Sequence, residues 1–313
     1  MVTVAPRRPI IEFRPDDPTL TANGGLVLVA ETCRVLDVVG TIDRRVGPVK
    51  GRSRGGGAGE LPVGLAECML AGGDFFCDSD TMRADVAGAQ LRAVADPPAS
   101  TTALGLARRF GPDRTAGLRA AQVELVDRHV AALPSQRRRE LLAVRPTIDL
   151  DPTDVEVYGT AKERIGWTYA GVRAGRPVPL VWAEAGLVLT GTLLAGDQGV
   201  RPHAPALIAE AVGTLPDGVS RPRLRADSGL FSADAAYAAV AAGAEVAIAA
   251  FRDPAVRGAI RPVPCSWQAT DSATRSPFPE SARYVAPLRR FSPLCEERHA
   301  CTFWDSIDQR GDR

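Results

Sequence analysis

The sequence predicts an α/β protein, with a helical N-terminal region followed by a mixed sheet that carries helices on its faces. Three observations support this. Before Arg145 the apolar residues recur at helical spacing. From Thr147 they alternate with polar residues over a short run. Beyond that, strands in series give way to a helix, a strand, a helix and a strand.

The elements follow in order. Residues 1–20 are polar, Pro-bearing and read as extended. Gly24 to Val39 opens as a short strand or helix and continues as helix. RRVGPVKGRSR, residues 44–54, runs into GGGAG and reads as a flexible basic loop. Leu65, Met69 and Leu70, then Met82, Val86 and Leu91, fall at helical spacing on either side of a break at Gly72-Gly73-Asp74. Ser100 or Thr101 is placed to cap a helix carrying Leu104 through Phe110, and a longer helix is expected from about Pro112 to Leu133. Thr147–Tyr158 reads as one strand, Trp167–Val172 as a second, and Pro179–Glu184 and Leu187–Leu194 as two more joined across Ala185-Gly186. Ala204–Leu215 is an amphipathic helix, and Leu224–Asp227 a short strand ending at an acid. Ser232–Ala242 is an Ala-rich helix with Ser232 as cap, and Glu245–Phe251 a buried strand. After about Pro262 neither period is visible. The domain organisation is therefore read as helical over 1–145, α/β over 146–261 and an irregular tail over 262–313.

Length and composition bound the function. A chain of 313 residues suggests about two domains. With 45% hydrophobic and 24% charged residues, it is not disordered throughout. A formal charge of +1 excludes a polycation, although only two of the 38 basic residues are lysines, Lys50 and Lys162. Arginine forks suit phosphate, and a GC-rich codon bias gives the same composition. No apolar run reaches the roughly 20 residues that span a bilayer. MVTVAPRRPIIEF shows no secretory signal, so no membrane association and a cytoplasmic location are expected. Disulfides are then not expected among the six cysteines. Cys295, His299 and Cys301 cluster in CEERHAC, at a spacing that matches no recognised zinc knuckle.

The chemistry concentrates in two motifs. In DLDPTD, Asp149 and Asp151 are two apart on an expected strand, so both leave one face, while Ile148 and Leu150 pack beneath it. Adjacent carboxylates repel, and a hard divalent cation such as Mg²⁺ relieves that repulsion. In RADSGLF, Asp227 sits where a strand ends and a turn begins, the position at which α/β sheets present reactive groups. Taken alone, each motif also reads as a solvated acidic edge or turn cap. If the two strands are neighbours, Asp151 and Asp227 converge on a site for two metal ions about 3.5–4 Å apart, suited to phosphodiester chemistry. Three basic clusters have the charge to neutralise phosphates and equally read as solvated faces: Arg44, Arg45, Lys50, Arg52 and Arg54; Arg108 and Arg109; Arg137, Arg138 and Arg139. Trp167 and Trp182 read as core residues, and His129 and His203 as structural.

TIDLDPTDVEVYG, AKERIGWTYAG, PLVWAEAGLVLTGTLLAGDQ and LRADSGLFS, in that order, resemble DDE-type transposases of bacterial insertion sequences, with the insertion-sequence-four-like lineage nearest. LAGGDFFCDSDTMRAD and PPASTTALGLARRF resemble that family's N-terminal helical region, so the likeness covers roughly residues 20–255. The resemblance implies a ribonuclease H-like catalytic domain and DNA strand cleavage and transfer with two Mg²⁺ ions, for which Mn²⁺ may substitute. It implies double-stranded DNA with terminal inverted repeats as partner, and is compatible with a homodimer on DNA. The family's first two acids fall on Asp151 and Asp227 as metal ligands, with Asp149 and Thr153 in support. The family's third acid is a Glu on a later helix, in a Tyr/Arg/Glu/Lys motif. Here Glu280, Glu296 and Glu297 lie in irregular sequence and no lysine follows Lys162, so the chain reads as truncated and impaired in turnover on its own.

Two other readings stand beside this one. DLDPT also fits the DxDx[TV] motif of haloacid-dehalogenase-like phosphohydrolases, with Asp149 as nucleophile and Asp151 as general acid. That resemblance implies a later cation, usually Lys, and an alternating βαβ order; no lysine follows Lys162, although an arginine could substitute, and the strand series directly after DLDPT suits the ribonuclease H-like order better. The third reading is a non-catalytic transposase fragment that binds terminal repeats and competes for them.

Overall fold

The computed structural model describes residues 19–51, 56–159, 162–250 and 254. The chain divides into two compact units, meeting at Leu125 and Val126.

In the first unit the described residues are helical: α1 (Leu26–Leu36), α2 (Val38–Val46), α3 (Glu60–Leu70), α4 (Asp78–Ala84), α5 (Ser100–Ala107) and the first part of α6 (Pro112–Ala132). Its core is a set of small clusters, such as Ile42, Val63, Val94 and Ala121, and Val49, Ala58, Leu61, Ala103 and Leu106. Two buried charges fix the connection after α4. The Glu67 carboxylate accepts the backbone N–H groups of Ala93 (2.6 Å) and Val94 (3.1 Å), and burial raises its pKa. The Arg92 guanidinium donates to the carbonyls of Met82, Asp85 and Ala95. Backbone groups that would otherwise lie buried without partners are satisfied by charged side chains.

Three local expectations change here. Arg44 and Arg45 belong to the last turn of α2, so the basic loop begins later than its composition suggests. Neither Ser100 nor Thr101 caps α5 through its side chain. Ala99 is the cap residue, and the Ser100 N–H is taken by Asp80 of α4 at 3.0 Å. The helix expected to carry Arg108 through Phe110 ends at Ala107.

The second unit begins within α6 and adds α7 (Ser135–Ala143), whose Gln, Arg, Glu, Leu and Ala residues are strong helix formers. It then forms a mixed sheet: β1 (Thr147–Leu150), β2 (Val155–Glu156), β3 (Gly166–Trp167), β4 (Arg173–Trp182), β5 (Leu187–Ala195), β6 (Arg223–Ala226) and β7 (Glu245–Ile248). Helix α8 (Ala204–Thr214) connects β5 to β6, and α9 (Ala233–Ala241) connects β6 to β7. β4 pairs antiparallel with β5 on one edge and with β1 on the other, whereas β1, β6 and β7 are mutually parallel neighbours. The α/β class with a mixed sheet and flanking helices is therefore observed. The core joins Ile148, Leu150, Leu180, Trp182 and Leu224 of the sheet to Ile208 of α8 and Ala239 of α9. Ser232 caps α9 as expected, accepting the Ala235 N–H at 3.3 Å. The β4–β5 hairpin turns at Gly186, whose φ of 66° favours glycine.

Strand limits differ from expectation for a definite reason. The expected strand Thr147–Tyr158 is two strands, β1 and β2, separated by Asp151–Asp154. In an antiparallel pair a residue's N–H and C=O point to the same neighbour. The odd-numbered residues of β4 face β1, as the bonds Thr153 N–H to Pro177 O (3.2 Å) and Ala183 N–H to Thr147 O (2.9 Å) show. Pro179, next in line to meet Asp151, has no N–H to offer its carbonyl. The β1–β4 register accordingly ends at Leu150 and Leu180, and the chain leaves the sheet at Asp151. The same geometry lets β4 run from Arg173 through both prolines, because their absent donors face β1 and not β5. The expected strand Trp167–Val172 shrinks to β3, and β7 is half-buried instead of buried.

Candidate functional site

Leu150 of β1 and Ala226 of β6 are the last registered pair of two parallel neighbours, and each is followed at once by an aspartate, Asp151 and Asp227. Adjacent strands lie about 4.8 Å apart. Both acids thus stand at the carboxyl ends of the central parallel strands. Asp151 is exposed overall, yet its carboxyl pKa is raised, first by partial desolvation and then by the charges of Asp227 and Asp149. Asp227 caps the single turn Ser228–Leu230, accepting the Gly229 N–H at 2.9 Å. Among the described residues neither Asp151 nor Asp227 has an ion-pair partner.

The loop between β1 and β2 is pinned on both sides of Asp151. Ahead of it, Asp149 is registered with Arg225, whose Nε and Nη2 donate to its two carboxylate oxygens at 2.6 and 2.5 Å. Behind it, Asp154 takes a second fork from Arg176 at 2.7 and 3.1 Å, while the exposed Thr153 is anchored through its N–H to Pro177. Arg176 also donates to the Gln198 carbonyl at 2.8 Å, and Arg201 to the Gly229 carbonyl at 3.0 Å, so the loops after β5 and β6 are tied at the same edge. The sequence marks Asp149, Asp151, Thr153 and Asp227. It gives no sign of the two arginine forks, whose only trace is Arg225 two residues before Asp227.

Asp149 lies inside β1 with both oxygens engaged, an arrangement unlike a free nucleophile, and β1 is flanked on one side by an antiparallel strand. Among the described residues no group of three His, Cys, Asp or Glu gathers as a metal site. Glu280, Glu296 and Glu297, and the Cys295/His299/Cys301 cluster, lie outside the described residues.

The basic clusters are more neutralised than the sequence suggests. Arg44 pairs with Asp37 (2.8 Å) and Glu124 (3.4 Å), and Arg45 with Glu124 (2.8 Å). Lys50 is half-buried, and Arg52 and Arg54 lie outside the described residues. Arg109 donates to the Val49 carbonyl, Arg138 to the Ala131 carbonyl, and Arg137 lies 3.9 Å from Glu140. Arg108 and Arg139 are exposed. Trp182 is fully buried as expected, but Trp167 is 63% exposed, on a two-residue strand that among the described residues pairs with the first residues of β4. No helix among the described residues is long and apolar enough to cross a membrane.

No protein-family model, curated protein or solved structure matches this chain.

Proposed function

We propose that the chain is a DDE-type transposase whose α/β unit is ribonuclease H-like and whose substrate is a DNA phosphodiester. The observation that carries this reading is the unneutralised pair Asp151 and Asp227 at the ends of neighbouring parallel strands, where the other acid of β1 is matched by a cation. The element order supports it as well: antiparallel β1, β4 and β5, then α8, β6, α9 and β7, with β1 central and parallel to β6 and β7.

The donors fit a hard divalent ion, since two carboxylates repelling one another are relieved by Mg²⁺ or Mn²⁺. Such ions, bound by Asp151 and Asp227, supply activation of an attacking oxygen and stabilisation of a leaving one. The chain's own contribution is positional. Asp154–Arg176 and Thr153–Pro177 fix the loop that aims Asp151, and the Asp227 cap fixes the turn after β6. The described residues supply two carboxylates, which on their own hold a dication weakly, and impaired turnover is part of the proposal.

The test is Mg²⁺-dependent nicking of duplex DNA carrying terminal repeats, compared among the wild type, Asp151→Asn and Asp227→Asn. Either substitution is expected to abolish nicking. Nicking that survives both would remove the site. Salt-sensitive duplex binding with no nicking under any metal would favour the non-catalytic binder.

A further inference from the structure

We propose that Arg225 is a positioning residue that keeps Asp149 out of the metal site, so that among the described residues Asp151 and Asp227 face the ion. The inference rests on the reading of those two acids as metal ligands. Asp149 and Arg225 leave the same face of the β1–β6 pair, and each stands two residues before one of the acids at the strand ends, Asp151 and Asp227. Without Arg225, three carboxylates would crowd that end of the pair. The guanidinium fork matches a carboxylate in two parallel hydrogen bonds, and here it occupies both Asp149 oxygens. The fork takes a lone pair on each oxygen and offsets the carboxylate's charge, which makes Asp149 a poorer ligand than the two acids at the strand ends. The pair is also directly registered across the strands, so the contact that silences Asp149 holds β1 and β6 in the alignment that brings the strand ends together. Lysine would supply the charge without the fork.

The experiment is Mn²⁺ titration of the full chain at fixed neutral pH, followed by electron paramagnetic resonance, with the number of metal-bound waters read from proton relaxation. R225Q is expected to release Asp149 into the site, tightening Mn²⁺ about tenfold through the added unit charge and displacing one bound water. R225Q/D149N is expected to return both quantities to wild-type values. D149N alone is expected to leave the number of bound waters unchanged and to weaken Mn²⁺ by about tenfold, because Arg225 is left as an uncompensated positive charge, and R225K to fall between wild type and R225Q. Unchanged affinity in R225Q, failure of the double variant to restore it, or an extra bound water in D149N would each overturn the proposal. The water count in D149N keeps the test decisive should R225Q fold poorly. Wild-type Mn²⁺ binding that persists in D151N would instead sink the assignment of the acids themselves, a result separable from failure of the clamp.

Discussion

The two ends of the β1–β6 pair treat charge in opposite ways. Where the strands enter the sheet, Glu245 at the start of β7 is paired with Arg145 and lies 3.7 Å from Arg223, and the Glu184 carboxylate accepts the Thr147 N–H at 2.8 Å. One step along, Asp149 and Arg225 cancel. At the exit, Asp151 and Asp227 stand side by side and no cation among the described residues answers them. The same strands therefore carry one end where charge is matched and one where it is not, and unmatched acids of this kind mark a candidate functional site. The difference is written in the chain as Arg145, Arg223 and Arg225 on the entry side and bare aspartates on the other.

The largest expected effect breaks the exit end. Asp227→Asn removes one of the two proposed ligands and should weaken Mn²⁺ binding by more than the roughly 10–100-fold that loss of an outer-shell partner costs. Calorimetric titration checks this, and an unchanged affinity would place the ion elsewhere. Breaking the entry end should act on stability instead. Glu245→Ala leaves Arg145 and Arg223 without their shared partner, and with all three side chains about one-third exposed the loss should be about 1 kcal/mol in urea unfolding. Mn²⁺ affinity should not change. A variant that weakens both would show that the two ends are coupled through the strands.

How much of this was legible in the sequence depends on the distance over which each signal acts. Alternation in TIDLDP and the Ser232 cap are local, and both were readable. The pairing of β1 with β6 is expected only conditionally, because parallel neighbours separated by four strands and a helix share no local signal. The break at Asp151 was missed because its cause, the missing N–H of Pro179, lies on another strand. The forks were missed for the same reason: Arg176 and Arg225 meet Asp154 and Asp149 only after the sheet has formed. Trp167 was assigned to the core by residue type, and the structure leaves it exposed because its strand is too short to be covered.

The fork behind Asp151 offers a finer cut. Asp154→Ala frees Arg176 and loosens the loop without touching either proposed ligand. Mn²⁺ affinity should fall by about tenfold, at the lower limit for a residue that orients a ligand, with little change in the urea midpoint. A fall as large as that of Asp227→Asn would instead make Asp154 a ligand.

The smallest effect tests the electrostatic side of the comparison through its sign. The folded-state pKa of Asp151 is raised above the usual 3.8, first by desolvation and then by its acidic neighbours. A raised pKa means that the folded protein holds the proton more tightly than the unfolded chain. The associated stability is complete below 3.8 and is lost as the pH rises through the folded value. Asp151→Asn carries no proton to lose, so relative to wild type it should gain stability over that interval and keep the advantage at neutral pH. The gain should be under about 1 kcal/mol for a group this open to solvent. Urea unfolding of both proteins from acid to neutral pH in metal-free buffer measures it. A wild type that instead gains on the variant with rising pH would mean that Asp151 is stabilised as the anion, with a cation beside it, and the contrast between the two ends would disappear.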